Sequence, residues 1–523
     1  MAKGNENIRK LLEQRVLEHG DKAFLFSEAD GREWSYSEFD KTVNRTANFL
    51  VSRGIVKGDV VSLLMPNSAE YIIAYFACWK LGAIAGPINS LLKSEEIEWV
   101  VKNSESTLIL IGSDQTGAAS IPACLSAKHE PFGNIEQVIA NQPETLSPAA
   151  IDCDDEAIII YTSGTTGKPK GCLLTHGNLI ANARQIAEWM NFGPDDRLLS
   201  VMPLFHMNAV SVTTMAALYA GSSTVVSPKF SASRFWDIIE KYRITSFGSV
   251  ATMLSMLLER RLPAGDLPAG SRRSLRFAMC GSAPVPAEVL RKFEETFGVL
   301  VIEGYGLSES TCRSTFNPPN KERRPGSCGK PIGNEIKIVD ETDHELADGE
   351  LGEIVLRGAN IFKCYFKNPE ATEKAFASGW FHTGDIGYRD VDGFYYIADR
   401  KSDMIIRGGE NIYPREIDDV LYAHPAVEHA AVIGVPDELY GEEVTAFIVL
   451  KHSYIKAETR PVGSVPVEHQ ITGEDIIDFC KLHLADFKCP KSVHFVENIP
   501  KGPTGKLLKR ELAKTLLPVL PDV

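Results

Sequence analysis

The stretch "YTSGTTGKPKG", residues 161–171, decides how this chain is read. It follows the apolar run "AIIIY" at 157–161 and leads into "GCLLT" at 171–175, both strand-like. Its eleven residues carry three glycines, four Ser and Thr hydroxyls and two lysines. Glycine lets backbone N–H groups turn toward an anion, hydroxyls donate further hydrogen bonds, and lysine adds charge. A polyphosphate needs those groups, so the loop reads as a phosphate cradle rather than a solvated turn. Its Gly164-x-x-Gly167-Lys168 spacing recurs at 326–330 and at 502–506. None of the three is a Walker loop. That motif has four residues between its glycines, a Ser or Thr after its lysine, and runs from a strand into a helix. Context has to separate the three.

The chain has 523 residues, 44% of them hydrophobic, which is too long for one ordinary domain and predicts two or more. A net charge of -14 excludes non-specific nucleic-acid binding, which rests on a basic surface. Ten cysteines occur without a CxxC pair, against a zinc site or a disulfide framework and in keeping with a reducing, cytoplasmic setting. The polar, helix-like opening "MAKGNENIRKLLEQRVLEHG" has no apolar core and is not expected to act as a secretory signal. Residues 198–228 lack Asp, Glu, Lys and Arg. They hold Pro203, His206, Asn208 and Gly221, however, and so read as core strand, loop and buried helix rather than a membrane span. No membrane insertion is expected.

Along the chain, apolar strands at 60–65, 108–111, 157–161, 224–227 and 246–250 alternate with amphipathic helices, as in "SAEYIIAYFACWKLG" closed by Gly82 and "HGNLIANARQIAEWM". Such alternation predicts α/β layers. From about residue 326 short strands and Gly/Asp turns predict a β-rich subdomain. After Arg400 the pattern resets: "PREIDDVLYAHP" helix, "EHAAVIGV" and "EVTAFIVL" strands, "GEDIIDFCKLHLADF" helix, "KSVHFVE" strand, "KLLKRELAKTL" helix. The expected organisation is a large N-terminal domain at 1–399, a hinge at 400–403 and a small, mobile α+β domain at 404–523, with a polar surface insertion at 452–470.

In order along the chain, "YTSGTTGKPKG", "PLFH" (203–206), "EGYGLSES" (303–310), "WFHTGDIG" (380–387), "DRKSDMIIRGGENIYPREI" (399–417) and "PKGPTGK" (500–506) resemble the motifs of the adenylate-forming superfamily: acyl-CoA synthetases, luciferases and peptide-synthetase adenylation domains. The resemblance covers nearly the whole chain. It implies two half-reactions. A carboxylate attacks the α-phosphorus of ATP to give an acyl-adenylate and pyrophosphate, and the thiol of coenzyme A then displaces AMP. It also implies roles. Thr162, Ser163, Gly164, Thr165, Thr166, Gly167 and Lys168 would cradle the β- and γ-phosphates. Glu309 would hold Mg2+, a hard cation that takes oxygen ligands, beside Ser308, which stands where many relatives have Thr. Glu303, Gly304 and Tyr305 would line the adenine site with Gly281, Ser282 and Ala283. Asp385 would accept the ribose hydroxyls, Arg400 would reach the ribose or α-phosphate, and His206 would stand between the nucleotide and acyl pockets. Lys506 would bridge the carboxylate and α-phosphate, offsetting their repulsion. Gly408 and Gly409 would flank a pantetheine tunnel once the small domain swings. By contrast "GSCGKPIGN" at 326–334 lacks the hydroxyl density of residues 161–171 and reads as a structural turn.

One residue departs from the pattern: Ser402 occupies the usual Asp or Lys hinge position, with Asp403 beside it. The acyl pocket would be walled by residues 208–211, 247–251 and those after Glu309. Among these Arg313 is the odd member, either solvated or facing a second polar group on the substrate. The leading reading is an acid–CoA ligase for a short- or medium-chain aliphatic carboxylate, loosely resembling the crotonobetaine/carnitine-CoA ligase branch. The runners-up are an aryl-CoA ligase, an adenylation enzyme loading a carrier protein, a luciferase-like oxygenase and a non-catalytic ATP sensor. Retained Lys506 and Glu309 speak against the last.

Overall fold

A computed structural model describes residues 6–112, 128–162, 169–259, 274–281, 285, 287–437, 439–454, 471–501, 507, 509 and 512. The chain is a mixed α/β protein with a large N-terminal and a smaller C-terminal domain. It divides into two compact units. The first is Met1–Val285, Val289–Ile336 and Val355–His382; the second is Pro286–Glu288, Lys337–Ile354 and Thr383–Val523.

The first unit holds two large sheets. In one of seven strands, Ile84–Pro87, Val60–Leu64, Leu108–Ile111 and Lys128–Pro131 run parallel. Glu156–Thr162 joins them and turns back as Lys170–Thr175, an antiparallel hairpin whose last pair is Thr162 with Lys170. The strand–loop–strand setting expected for residues 161–171 is therefore present. Helix Ala69–Leu81 is buried on nearly every side, because its sequence is apolar all round. The Ser68 hydroxyl accepts from Tyr71 N–H at its start, and Gly82 at φ 80° closes it in the left-handed region. Buried Lys80 is paired with Asp40 at 2.6 Å. The nine-stranded sheet has a parallel centre in which Arg197–Ser200, Ser246–Ser249, Phe277–Cys280 and Leu300–Tyr305 lie side by side. Ligands in such sheets bind beyond the carboxyl ends of the strands, where Val250, Gly281 and Gly306 follow.

The charge-free stretch at 198–228 folds as buried strand and helix, with one unexpected feature: Asn208–Met215 is a π-helix. Thr213 and Thr214 both donate to the Ala209 carbonyl, at 2.9 and 3.0 Å, and so fill the widened turn. Among the described residues no helix is long and apolar enough to cross a membrane, and the nine described cysteines form no disulfide.

In the second unit, the four-stranded sheet contributes Phe381–Arg389 paired with Tyr395–Arg400, from Thr383 onward. A five-stranded sheet follows, built on the long hairpin Val427–Asp437 and Gly441–Leu450. Helices Pro414–Ala423 and Gly473–Lys481 bury Ile417, Leu421, Ile476 and Cys480 against it. Of the last predicted helix only residues 507, 509 and 512 are described, the latter two helical, and most of the predicted insertion lies outside the described residues.

Candidate active site

Of the residues expected to cradle phosphate, Thr162 ends its strand; Ser163, Gly164, Thr165, Thr166, Gly167 and Lys168 lie outside the described residues. The base of the hairpin is well defined. Strand Cys364–Tyr365 pairs with it, Tyr365 opposite Cys172, and the ammonium of Lys170 sits 5.1 Å from the Tyr365 ring centre. The Tyr365 hydroxyl donates to Glu309 Oε1 at 2.9 Å. Burial, reinforced by the Glu309 carboxylate, pushes the phenol far above its ordinary pKa, so it remains a donor. Glu309 itself lies on the 3-10 turn Ser308–Ser310, and its carbonyl accepts from Phe362 N–H at 2.7 Å. The hairpin of Glu156–Thr162 and Lys170–Thr175 and Glu309 are thus tied through one tyrosine. The local sequence "FKCYFKN" gives no signal for it.

Three further predicted site residues lie at the ends of two neighbouring strands, Phe277–Cys280 and Leu300–Tyr305. Gly304 and Gly281 cannot carry a side chain: a Cβ would come 2.4 Å from the Phe316 ring in the first case and 2.5 Å from Arg313 Nη2 in the second. Buried Glu303 accepts from Gly326 N–H at 3.0 Å. Gly326 and Gly329 both take left-handed φ, and a Cβ on Gly329 would meet the Phe316 backbone at 2.0 Å. The second Gly-x-x-Gly-Lys is therefore a turn clipped to Glu303. Tyr305 is buried beside them, and Ser282 and Ala283 lie outside the described residues. Thr311 holds φ 66°, rare for a β-branched residue, and its hydroxyl donates to the Asn360 carbonyl at 2.7 Å. This kink turns the chain so that Arg313 enters the interior, only 2% exposed; the solvated reading of Arg313 does not hold.

His206 Nε2 is buried with no hydrogen-bond partner among the described residues, and burial lowers its pKa to about 4. The ring is neutral at physiological pH and packs on Phe205.

In the second unit, Asp385 is buried and its Oδ1 lies 3.3 Å from Arg400 Nε, its cross-strand partner. Thr383 braces the turn: its hydroxyl accepts from Asp385 N–H at 3.1 Å and donates to the Ile354 carbonyl at 2.7 Å. Ser402 donates to Asp403 at 2.9 Å within the turn after Arg400. Gly408 and Gly409, at φ 59° and 90°, form the two-residue turn between Ile405–Arg407 and Glu410–Ile412, which demands left-handed backbone at both positions. Lys506 lies outside the described residues. They bracket it with the bridge between Lys501 and Leu507 and with the Lys509–Asp418 pair at 2.8 Å.

Comparison with known proteins decides what this arrangement belongs to. Residues 12–366 match the model of the AMP-binding enzyme family, and residues 416–506 match the AMP-binding enzyme C-terminal domain. The chain belongs to the AMP-binding enzymes. It is 34% identical to a sulfoacetate–CoA ligase of Cupriavidus necator, over 97% of each chain. It is 35% identical to a crotonobetaine/carnitine–CoA ligase of Citrobacter koseri, over 97% of this chain and 99% of that one. The structure of ATP-bound MatB from Rhodopseudomonas palustris superimposes with a TM-score of 0.87 at 31% identity, covering 98% and 99%. This AMP-binding enzyme is an acid–CoA ligase, and the family to which it belongs uses ATP, Mg2+ and coenzyme A.

Among the described residues no three acidic, His or Cys side chains form a metal cluster. A carboxylate oriented by a half-buried tyrosine suits Mg2+, which binds through one or two carboxylates and substrate phosphates, its ligands held by outer-shell hydrogen bonds. Glu309 fits that description.

Proposed function

We propose that this ligase activates a short- or medium-chain aliphatic carboxylate through an acyl-adenylate. The observation that carries the reading is the link from the phosphate hairpin through Tyr365 to Glu309. It fixes an acidic residue relative to the base of an anion-binding loop, where a carboxylate gains nothing from polyphosphate unless a cation lies between them.

In the proposed cycle residues 162–168 hold the β- and γ-phosphates through backbone N–H groups, hydroxyls and Lys168. Glu309 would hold Mg2+, which neutralises phosphate charge when bound. Gly281, Gly304 and Tyr305 would line the adenine site, and Glu303 would keep that wall rigid by anchoring the 326–330 turn. Asp385 and Arg400 take the ribose and the α-phosphate. Lys506 draws the carboxylate oxygen onto the α-phosphorus; the bond to pyrophosphate breaks as the new P–O bond forms. Neutral His206 can stand beside the acyl group without a charge that would compete for the anion. The small domain at 404–523 then turns about 400–403, and Gly408 and Gly409 admit the pantetheine arm. Its sulfur attacks the acyl carbon and the bond to AMP breaks. The free cysteines suit a reducing cytoplasm.

Pyrophosphate release, measured across a panel of aliphatic and aryl acids with and without coenzyme A, tests the assignment. Highest kcat/KM on a short or medium aliphatic acid is expected. Preference for an aryl acid would replace this substrate assignment, and release unaffected by coenzyme A would point to a carrier-loading enzyme.

A further inference from the structure

Three glycines lie side by side on one face of the nine-stranded sheet. Gly248 pairs with Met279 and Cys280 with Glu303. Side chains alternate faces along a strand, so Gly281, two residues beyond Met279, points the same way as Gly248; Gly304, one beyond Glu303, falls beside Gly281. The Gly281 N–H continues the ladder to the Ser249 carbonyl. Each missing side chain is covered by something different. The Asn208 amide oxygen lies 2.8 Å from where a Cβ on Gly248 would be; the Arg313 guanidinium lies 2.5 Å from that of Gly281; the Phe316 ring lies 2.4 Å from that of Gly304. Arg313 also faces the Phe316 ring, its guanidinium carbon 5.4 Å from the centroid.

The polar groups on this glycine floor are unusual in what they lack. Arg313 Nε and Nη2 are fully buried and meet no hydrogen-bond acceptor among the described residues. The same holds for both ends of the Asn208 amide and for the hydroxyl of Ser211, three residues further on in the same π-helix. A buried guanidinium is costly unless paired, and an unpaired one is among the more destabilising features a core can hold. The backbone does not place it there by accident: Asn182 accepts from the Arg313 N–H at 3.3 Å and donates to its carbonyl at 2.7 Å, and Asn360 donates to the same carbonyl at 3.3 Å. The kink at Thr311 is pinned by Asn360. Three side chains, Asn182, Thr311 and Asn360, thus hold one cation toward the carboxyl ends of the central strands, where the acyl pocket is assigned. Aliphatic chains alone would leave that charge uncompensated. A medium-chain tail would desolvate it further.

We infer that Arg313, with Asn208 and Ser211, recognises a second anionic group on the acid, so that the substrate is a short two-headed acid: a carboxylate to be activated and a distal carboxylate or sulfonate. A guanidinium offers paired, parallel N–H donors to either anion. This deepens the acid–CoA ligase reading above and rests on it.

The test compares C2–C5 dicarboxylates and sulfonated acids with monocarboxylates of equal length, in the wild type, in Arg313→Met and in Arg313→Lys, by pyrophosphate release. Wild type should prefer a two-headed acid. Arg313→Met should lose roughly 100-fold or more in kcat/KM on it, since a site built for a polar group discriminates strongly. The loss on the matching monocarboxylate should stay within about 3-fold, KM for ATP should be unchanged, and lysine should restore part of the preference. Without acid, Arg313→Met should melt at or above the wild-type temperature, because it removes an unpaired buried charge; the two-headed acid should raise the melting temperature of wild type only. Whether a carboxylate or a sulfonate gives the larger shift separates the two anions. Equal losses on one- and two-headed acids, or a wild type that prefers a monocarboxylate, would overturn the role of Arg313 while leaving the ligase reading intact. A wild type that releases no pyrophosphate with any acid would instead overturn the ligase reading, and with it this one.

Discussion

Replacing Tyr365 with phenylalanine removes one oxygen and tests the link on which the site depends. The hydroxyl donates at 2.9 Å to Glu309 Oε1 from a half-buried position, where its pKa is far too high for it to ionise. A hydrogen bond to a charged group contributes about 1.5–3 kcal/mol, and loss of an outer-shell partner of a metal ligand typically costs about 10- to 100-fold in metal affinity or activity. The ring would remain, so the packing of Phe362 and the position of Lys170 should persist. The expected outcome is specific: the Mg2+ concentration giving half-maximal pyrophosphate release rises about 10- to 100-fold, while the rate at saturating Mg2+ recovers most of its wild-type value and KM for the acid is unchanged. Titration of Mg2+ at fixed ATP reads this directly. A Tyr365→Phe enzyme with an unaltered Mg2+ dependence, or with a loss that no amount of Mg2+ restores, would refute the assignment of Glu309 and its tyrosine.

Lys506→Ala should abolish adenylation yet spare thioester formation from a supplied acyl-adenylate; equal loss of both steps would deny that lysine its half-reaction. Gly329→Ala should destabilise by about 3 kcal/mol or more, since it adds a backbone clash to a left-handed φ. Gly326→Ala, with open space at its φ of 88°, should cost only about 1–2 kcal/mol; equal melting-temperature shifts would contradict the clash. His176 is fully buried, its Nδ1 accepts from Ile8 N–H, and burial lowers its pKa to about 4. The unfolded chain binds that proton more readily, so its stabilisation is complete above pH 6.5 and is lost as pH falls toward 4, about 3 kcal/mol in all. Urea unfolding of His176→Gln should show a flatter acid limb, and an unchanged limb would rule this out. His206, also lowered to about 4, should leave no inflection in kcat/KM between pH 5 and 8; an inflection lost in His206→Gln would oppose that.

Much of this fold is legible where one physical signal dominates. The apolar strand either side of residues 161–171 and the all-round apolar helix closed by Gly82 follow from composition and turn chemistry alone. The paired left-handed glycines at 408 and 409 have a structural reason, a two-residue hairpin turn, that residue type alone also suggests. What escaped the sequence depends on tertiary contact. Tyr365 matters because its strand pairs with the hairpin strand Lys170–Thr175, a contact nearly two hundred residues away that no local pattern encodes. The π-helix at Asn208–Met215 looks like any buried helix in sequence, because one extra residue in a turn leaves no trace in hydropathy. Arg313 reads as a surface residue by type, and only the Thr311 kink and the anchoring by Asn182 and Asn360 turn it inward.

The central claim, that an acyl-adenylate forms before coenzyme A reacts, is tested most directly by exchange of labelled pyrophosphate into ATP. The account predicts exchange that requires the acid and Mg2+, proceeds without coenzyme A, and disappears in Lys506→Ala. Exchange that needs coenzyme A, or ADP and phosphate as products in its place, would contradict it.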